Sequence, residues 1–138
     1  MRAALLALML TVASQAGAEC GNLCDSGWWK TSTAADVQAE LDAGADVMAR
    51  AKYGATPLHR AAEFGTRETV QALIDADAEL MAGDEDGSIP LAWAARSGNP
   101  ANIQALLDAG ADVMARDGYG STPLHSAAAS RGKPASIQ

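Results

Sequence analysis

Two cysteines are the most reactive side chains in this 138-residue chain, and their spacing limits their chemistry. Cys20 and Cys24 are separated by three residues, whereas thiol–disulfide oxidoreductases use two. Redox catalysis is therefore disfavoured, and a stress-protective redox protein stays as an alternative function. In an exported protein we expect the pair to form a disulfide that ties down the chain terminus. Zinc is disfavoured because two ligands would still be missing and neither histidine is close in sequence.

The side chains best suited to proton transfer near neutral pH are the only two histidines of the chain, His59 and His125. They occupy equivalent places in two segments of similar sequence, and equivalent positions in stacked units do not converge on one point. No serine has a neighbouring base or an elbow motif, and no glycine-rich phosphate loop is present. The sequence therefore predicts no catalytic residue, no cofactor and no enzyme activity.

A run of three carboxylates, Asp84-Glu85-Asp86, could attract a cation. Calcium loops alternate their ligands with other residues, and this run does not. We interpret it as a solvated turn and predict no metal site.

The elements that carry these side chains recur every 33 residues. The segments that begin at Thr56, Ile89 and Thr122 read TPLHRAA, IPLAWAA and TPLHSAA. A second landmark keeps the same interval, as LDAGAD from Leu41, IDADAE from Ile74 and LDAGAD from Leu107. A fixed period of this length indicates stacked supersecondary units that shelter one another's apolar faces. Such units present surfaces, so the first question is what the chain binds.

Local signals predict two helices in each unit. Thr56 is a good N-cap, and the proline after it suits the first helical turn. The second helix is clearest where Asn99 caps an apolar stripe that ends at Gly110. In the first unit the segment from Thr33 to Asp36 predicts a capping box.

Taken together, the TPLHxAA and GADV landmarks resemble the ankyrin repeat over residues 22–138. The resemblance implies an all-α solenoid of stacked helix-turn-helix units linked by β-turns or hairpins. The repeats would cover about 22–54 with a degenerate start, then 55–87, 88–120 and an incomplete 121–138. Because the last unit stops early, we expect a fragment of a longer array.

In ankyrin-like repeats the histidine of the motif is structural, which implies that His59 and His125 join a helix start to the adjacent turn. The third repeat has Ile89 and Ala92 in place of the threonine and histidine. Loss of the threonine cap costs about 1 kcal/mol, so we expect a weak point there.

Three methionines, Met48, Met81 and Met114, stand where the family usually has asparagine. Methionine is flexible and apolar, so we interpret the row as an apolar seam between adjacent units. In the degenerate first unit, we expect one of Trp28 and Trp29 to cover the apolar end of the stack, with the other more exposed.

Ankyrin-like proteins bind protein partners through turn tips and first helices, which together form a concave surface. Aromatic and arginine side chains, the usual hot-spot types, are concentrated there. For Trp93 an alternative is that it fills space beside Ala92. Carried over by position, the predicted contact residues are Arg50, Lys52, Tyr53, Glu63, Phe64, Glu85, Asp86, Ser88, Trp93, Arg96, Arg116, Tyr119 and Ser121.

Residues 1–18 have the pattern of a signal peptide, with Arg2, an apolar run and a small-residue cleavage motif. The run is too short to span a bilayer, and Glu19 before Cys20 argues against lipidation. We therefore expect a mature domain of residues 19–138, exported to the periplasm of a Gram-negative bacterium or secreted, with no membrane insertion after cleavage.

Ten basic and 17 acidic residues give a net charge of −7. This balance disfavours nucleic acid and anionic membranes as partners. We therefore expect the partner to be a protein, and we expect the chain itself to be monomeric. An alternative function is that of an inhibitor of, or immunity protein against, a basic enzyme.

Overall fold

The computed structural model describes residues 21–129, and its regular structure there is helical with no strand, so the predicted all-α fold is confirmed. Two 3₁₀ turns, Gly21–Cys24 and Lys52–Gly54, accompany seven α-helices. In chain order the helices are α1 (Ser26–Trp29), α2 (Ala34–Asp42), α3 (Pro57–Phe64), α4 (Arg67–Asp75), α5 (Pro90–Ser97), α6 (Pro100–Asp108) and α7 (Pro123–Ala129).

Several predictions concern residues outside the described range. The signal peptide at 1–18, Cys20 and the end of the fourth repeat from residue 130 onward all lie there. The domain boundaries and the Cys20–Cys24 disulfide therefore stay predictions.

The helices stack in two layers. The first helices of successive units, α3, α5 and α7, pack side by side, and α1 packs on α3. The second helices, α2, α4 and α6, form the other layer. Each unit is thus held mainly by its neighbours, as expected for a solenoid.

Apolar residues at one repeated position show how far this sheltering extends. Leu58 and Leu91 are 0% and 2% exposed and belong to the buried core shared by the stacked units. Leu124, at the same position in α7, is 69% exposed. The expected burial therefore fails at Leu124, since no described unit follows α7.

The capping signals work as predicted. The Thr33 N–H donates to Asp36 Oδ2 at 2.9 Å, and the Asp36 N–H donates to Thr33 Oγ1 at 3.2 Å. Asn99 Oδ1 accepts the Asn102 N–H at 3.2 Å at the start of α6. Gly110 has a φ of 106°, a left-handed value that glycine adopts freely at the end of that helix.

His59 confirms the structural role implied by the resemblance. Its Nδ1 accepts the Thr56 N–H at 3.0 Å, and its Nε2 donates to the Ser88 carbonyl of the next turn at 2.7 Å. These bonds require a neutral imidazole protonated at Nε2. Burial lowers the pKa of His59, which favours the same neutral form.

The third unit lacks this device. Ile89, in the N-cap position of α5, makes no side-chain cap. A small cleft lies beside Ala92, lined in part by Ser121 of the next turn. Here the start of a first helix makes no imidazole bond to the following turn, so the weak point expected there stays a prediction about stability.

The predicted apolar seam of methionines between adjacent units is found at Met48 only. Met48 is half-buried, and its Sδ accepts the Glu79 N–H at 3.4 Å. Met81 and Met114 are 40% and 65% exposed. The prediction is wrong for these two, because the described residues do not cover their side chains.

The paired tryptophans divide as expected. Trp29 is fully buried, and its indole N–H donates to the Leu23 carbonyl at 2.8 Å. Trp28 is half-buried and meets the Trp29 ring edge-on, with 4.9 Å between centroids. Trp29 therefore belongs to the core at this end of the stack.

A buried asparagine joins the two layers across a unit boundary. Asn102 Nδ2 donates to the carbonyls of Ala61, Ala62 and Gly65 at 3.3, 3.2 and 2.9 Å. These carbonyls lie at the C-terminal end of α3, where the Ala61 carbonyl also accepts the Gly65 N–H at 2.7 Å and the last carbonyls of a helix lack intrahelical donors. The sequence analysis assigned no role to Asn102, because its three acceptors lie about 40 residues earlier in the chain.

Replacement of Asn102 should therefore destabilise the fold. We expect Asn102→Ala to lower the free energy of unfolding by about 1–3 kcal/mol, since buried carbonyls lose their donor. Gln104→Ala, in the same helix but exposed, is the matched control and should change it little. Urea denaturation measures both, and equal midpoints for the two variants would contradict this account.

Conversely, the cleft at Ala92 predicts a stabilising change. An imidazole there should accept the Ile89 N–H and donate to the Ser121 carbonyl, as His59 does one unit earlier. We expect Ala92→His to raise the free energy of unfolding by about 1 kcal/mol. Thermal unfolding measures it, and a lower melting temperature would show that the cleft does not accept the ring.

Candidate functional site

The predicted contact residues lie in the turns between units and on the first helices. We call this surface the tip face and define it by the turns 50–55, 83–88 and 116–121 with the adjoining side chains of α3 and α5.

Backbone hydrogen bonds join the three turns edge to edge. The Glu85 N–H donates to the Tyr53 carbonyl at 2.9 Å, and the Gly118 N–H donates to the Asp86 carbonyl at 2.6 Å. A Cβ at residue 118 would lie 3.0 Å from that carbonyl oxygen, so only glycine permits the approach without a shift. The tips are therefore one connected edge, not three independent loops.

Two aspartates shape the second and third turns in the same way. Asp84 Oδ1 accepts the N–H groups of Asp86 and Ser88 at 2.8 and 2.9 Å. Asp117 Oδ1 accepts those of Tyr119 and Ser121 at 2.8 and 2.9 Å.

Hydrogen bonding also affects the ionisation of the second of these aspartates. The Ser121 N–H, and then that of Tyr119, lower the pKa of Asp117, because they favour its ionised form. The Ser88 hydroxyl adds a bond to Asp117 Oδ2 at 3.4 Å, which links the second turn to the third. The ionised carboxylate therefore holds the geometry of the third turn.

Trp93 lies inside the tip face instead of on it. It is 5% exposed, and its indole N–H donates to Asp84 Oδ2 at 2.9 Å. The guanidiniums of Arg60 and Arg96 stand over its ring at 5.6 and 5.3 Å, and the His59 ring meets it at 5.1 Å. This corrects the expectation of an accessible aromatic contact: Trp93 fastens the second turn to the first helices. It also does not line the cleft beside Ala92.

Arg60 is a second support that sequence reasoning missed. It is 9% exposed, its Nη1 donates to Ser26 Oγ at 2.9 Å, and its Nη2 donates to the Lys52 carbonyl at 3.3 Å. The position of Arg60 within the TPLHRAA segment could have predicted this role, because an arginine among buried helix residues needs hydrogen-bond acceptors within the protein.

Arg50 and Arg116 brace their own turns. Arg50 Nη1 donates to the carbonyls of Gly54 and Gly83 at 2.9 and 2.5 Å. Arg116 Nη1 donates to the Gly120 carbonyl at 2.7 Å. Both side chains are exposed, but these bonds fix their geometry.

Two tyrosines are the accessible aromatic residues of the tip face. Tyr53 is 57% exposed and Tyr119 is 78% exposed, and the Tyr119 hydroxyl donates to Asp86 Oδ1 at 3.3 Å. Lysine ammonium groups stand over Tyr53 (Lys52, 5.2 Å) and Phe64 (Lys30, 5.4 Å). The other predicted contacts divide into exposed Lys52, Glu85, Asp86 and Arg96 and half-buried Glu63, Phe64, Ser88 and Ser121.

A cleft opens between the first two turns and the first helices. We call it the Trp93 cleft, and its lining is Tyr53, Arg60, Glu63, Asp84, Glu85, Asp86, Trp93 and Arg96. Burial raises the pKa of Glu63, and the positive charges of Arg96 and Arg60 offset this only in part.

Residues 21–129 were expected to hold neither a metal ion nor a membrane-spanning segment. Residues 21–129 contain no cluster of three or more histidine, cysteine, aspartate or glutamate side chains that could hold a metal ion. Within the same range no helix is long and apolar enough to cross a membrane. Cys24 ends the first 3₁₀ turn, and no cysteine in this range has a free thiol.

The raised pKa of Glu63 makes its charge unfavourable for folding. When the pKa of a carboxyl group is higher in the folded than in the unfolded state, the folded protein becomes less stable as pH rises above the ordinary pKa of that group, here 4.5. We expect Glu63→Gln to raise the melting temperature at pH 7 and to have less effect as pH falls below that value. Glu68→Gln, exposed on α4, is the control, and a melting temperature lowered at pH 7 would contradict the sign.

Comparison with known proteins adds one finding. A family profile described as ankyrin repeats (3 copies) matches residues 34–117, which is more than half of the chain. The match runs from the start of α2 into the third turn. A search of curated proteins finds no match to the chain.

Proposed function

The chain belongs to the ankyrin-repeat family, and from that premise we propose that it binds a partner protein through its tip face without catalysing a reaction. Ankyrin repeats are in general protein–protein interaction modules. The partner, its contact with the tip face and a monomeric state in solution are parts of the proposal.

The observation that carries the proposal is the hydrogen-bonded edge formed by the turns. Because the bonds from Glu85 to Tyr53 and from Gly118 to Asp86 connect the tips, their side chains are already arranged before a partner arrives. Preformed contacts lose less conformational entropy on binding. Two exposed tyrosines on that edge are of the residue type that dominates interface energetics.

Paired alanine substitutions test this proposal. Tyr53→Ala/Tyr119→Ala removes the exposed rings but leaves the buried supports in place. We expect it to weaken capture of the specific partner about tenfold or more, since interface tyrosines each contribute about 1–2 kcal/mol or more. The measurement is affinity capture from a periplasmic extract, followed by titration of each captured protein.

A control on the second-helix side completes the test. Glu68→Ala/Glu79→Ala alters exposed residues away from the turns and should leave capture unchanged. Equal capture by the tyrosine variant and the unsubstituted chain would reject the tip face as the binding surface.

Export is the second part of the proposal. The pattern of residues 1–18 supports a cleaved signal peptide, which places the partner in the periplasm or outside the cell. We expect the chain expressed in a Gram-negative host to appear in the periplasmic or extracellular fraction with Glu19 as its first residue. N-terminal sequencing checks this, and cytoplasmic protein that still begins at Met1 would contradict it.

A further inference from the structure

Two residues that line the Trp93 cleft, Arg60 and Trp93, already use hydrogen-bond donors within the protein. Arg60 donates to a serine hydroxyl and to a backbone carbonyl, and the Trp93 indole donates to Asp84. Arg60 Nε has no partner but is fully buried, so a ligand in the cleft does not reach it. Arg60 and Arg96 also stand over the two-ring system of Trp93. Arg60 and Trp93 therefore offer few free donors to a ligand in the cleft.

By contrast, the carboxylate acceptors of the same cleft still have unused hydrogen-bonding positions. Glu85 and Asp86 are exposed, and in the described part of the chain neither forms an ion pair. Asp86 accepts one bond, from the Tyr119 hydroxyl at 3.3 Å, although a carboxylate has about four acceptor positions. Both carboxylates therefore retain capacity to accept hydrogen bonds.

Glu63 adds a third acceptor on the helix side of the cleft. Burial disfavours its charge despite Arg60 and Arg96, so a further cation close to it would stabilise the ionised form. Because Glu63 lines the cleft, a cation bound there would lie near its carboxylate.

The charges of the residues that line the cleft also favour a cationic ligand. Four carboxylates and two guanidiniums leave an excess of two negative charges (4 − 2). One carboxylate, Asp84, is already bonded to its turn and to Trp93, and both guanidiniums lie against the Trp93 ring. The free recognition groups are thus acidic, with the Tyr53 ring beside them.

We propose that the Trp93 cleft binds an arginine or lysine side chain of the partner protein, an inference that rests on the proposed function. Such a side chain brings three to five donors to the open carboxylates of Glu63, Glu85 and Asp86. Its aliphatic stem and cationic head pack favourably against an exposed aromatic ring such as Tyr53. A basic side chain of the partner is therefore bound in the cleft, and the rest of the tip face contacts the partner surface around that side chain.

A direct probe tests the cleft without knowledge of the partner. The probe is a blocked pentapeptide with two arginines separated by glycine, and the control peptide has citrulline in place of arginine. Citrulline keeps the shape but removes the charge. Titration of the full chain should give saturable amide shifts at Tyr53, Glu85 and the Trp93 indole with the arginine peptide only. Binding should weaken with added salt.

Neutral substitutions locate the site. Glu85→Gln/Asp86→Asn should weaken binding of the arginine peptide roughly five- to thirtyfold, the effect of losing two ion pairs of up to about 1 kcal/mol each. Glu68→Gln/Glu79→Gln removes the same charge from exposed positions outside the tip face and should leave the dissociation constant unchanged. Both pairs are exposed, so the fold is expected to survive, and circular dichroism verifies it.

Three results would overturn the inference. These are equal shifts with the citrulline peptide, shifts that do not saturate, or equal weakening by the Glu68/Glu79 control. Failure here is distinguishable from failure of the proposed function. If captured partners depend on Tyr53 and Tyr119 but not on Glu85 and Asp86, the tip face binds proteins and the cleft takes no basic side chain.

Discussion

The contact between the first helix of one unit and the turn of the next supports the rest of this structure. His59 makes it visible: one ring nitrogen completes the helix start at Thr56, and the other holds the Ser88 carbonyl one unit later. In the same helix, Leu58 is fully buried in the core. The second turn is therefore positioned in part by a helix that precedes it in the chain, so its arrangement depends on stacking.

This constraint divides the tip face into supports and contacts. Trp93, Asp84 and Arg60 are supports, because their hydrogen bonds and ring contacts are made within the protein. Tyr53 and Tyr119 are available for contact, because most of each ring surface faces solvent. Residue type alone would have ranked Trp93 first among the contacts, yet its burial makes it the piece that fixes the others. A surface built this way can be rigid where it is supported and still variable where it touches a partner.

The stack is also uneven along its length. Its first end has a buried Trp29 that belongs to the core, whereas Leu124 and Met114 on the far side of the described residues are largely exposed. Between them, the third unit lacks both the threonine cap and the imidazole bridge. In a solenoid, stability is carried by unit interfaces, so local opening is expected to begin at this third junction. Tip-face residues of the first two turns lie on the better supported side.

The sequence by itself determined the period and the caps at Thr33 and Asn99, and its resemblance to the ankyrin repeat implied the all-α class and the structural role of His59. Each depends on signals within a few residues or on repetition at a fixed interval. Tertiary structure alone decided that Asn102 bridges to α3, that Arg50 spans to Gly83, and that Trp93 is buried while Tyr53 is exposed. These contacts join residues some 30 or 40 positions apart, or depend on which neighbour covers a ring. A single repeat does not specify them, because side-chain burial is set by the packed units together.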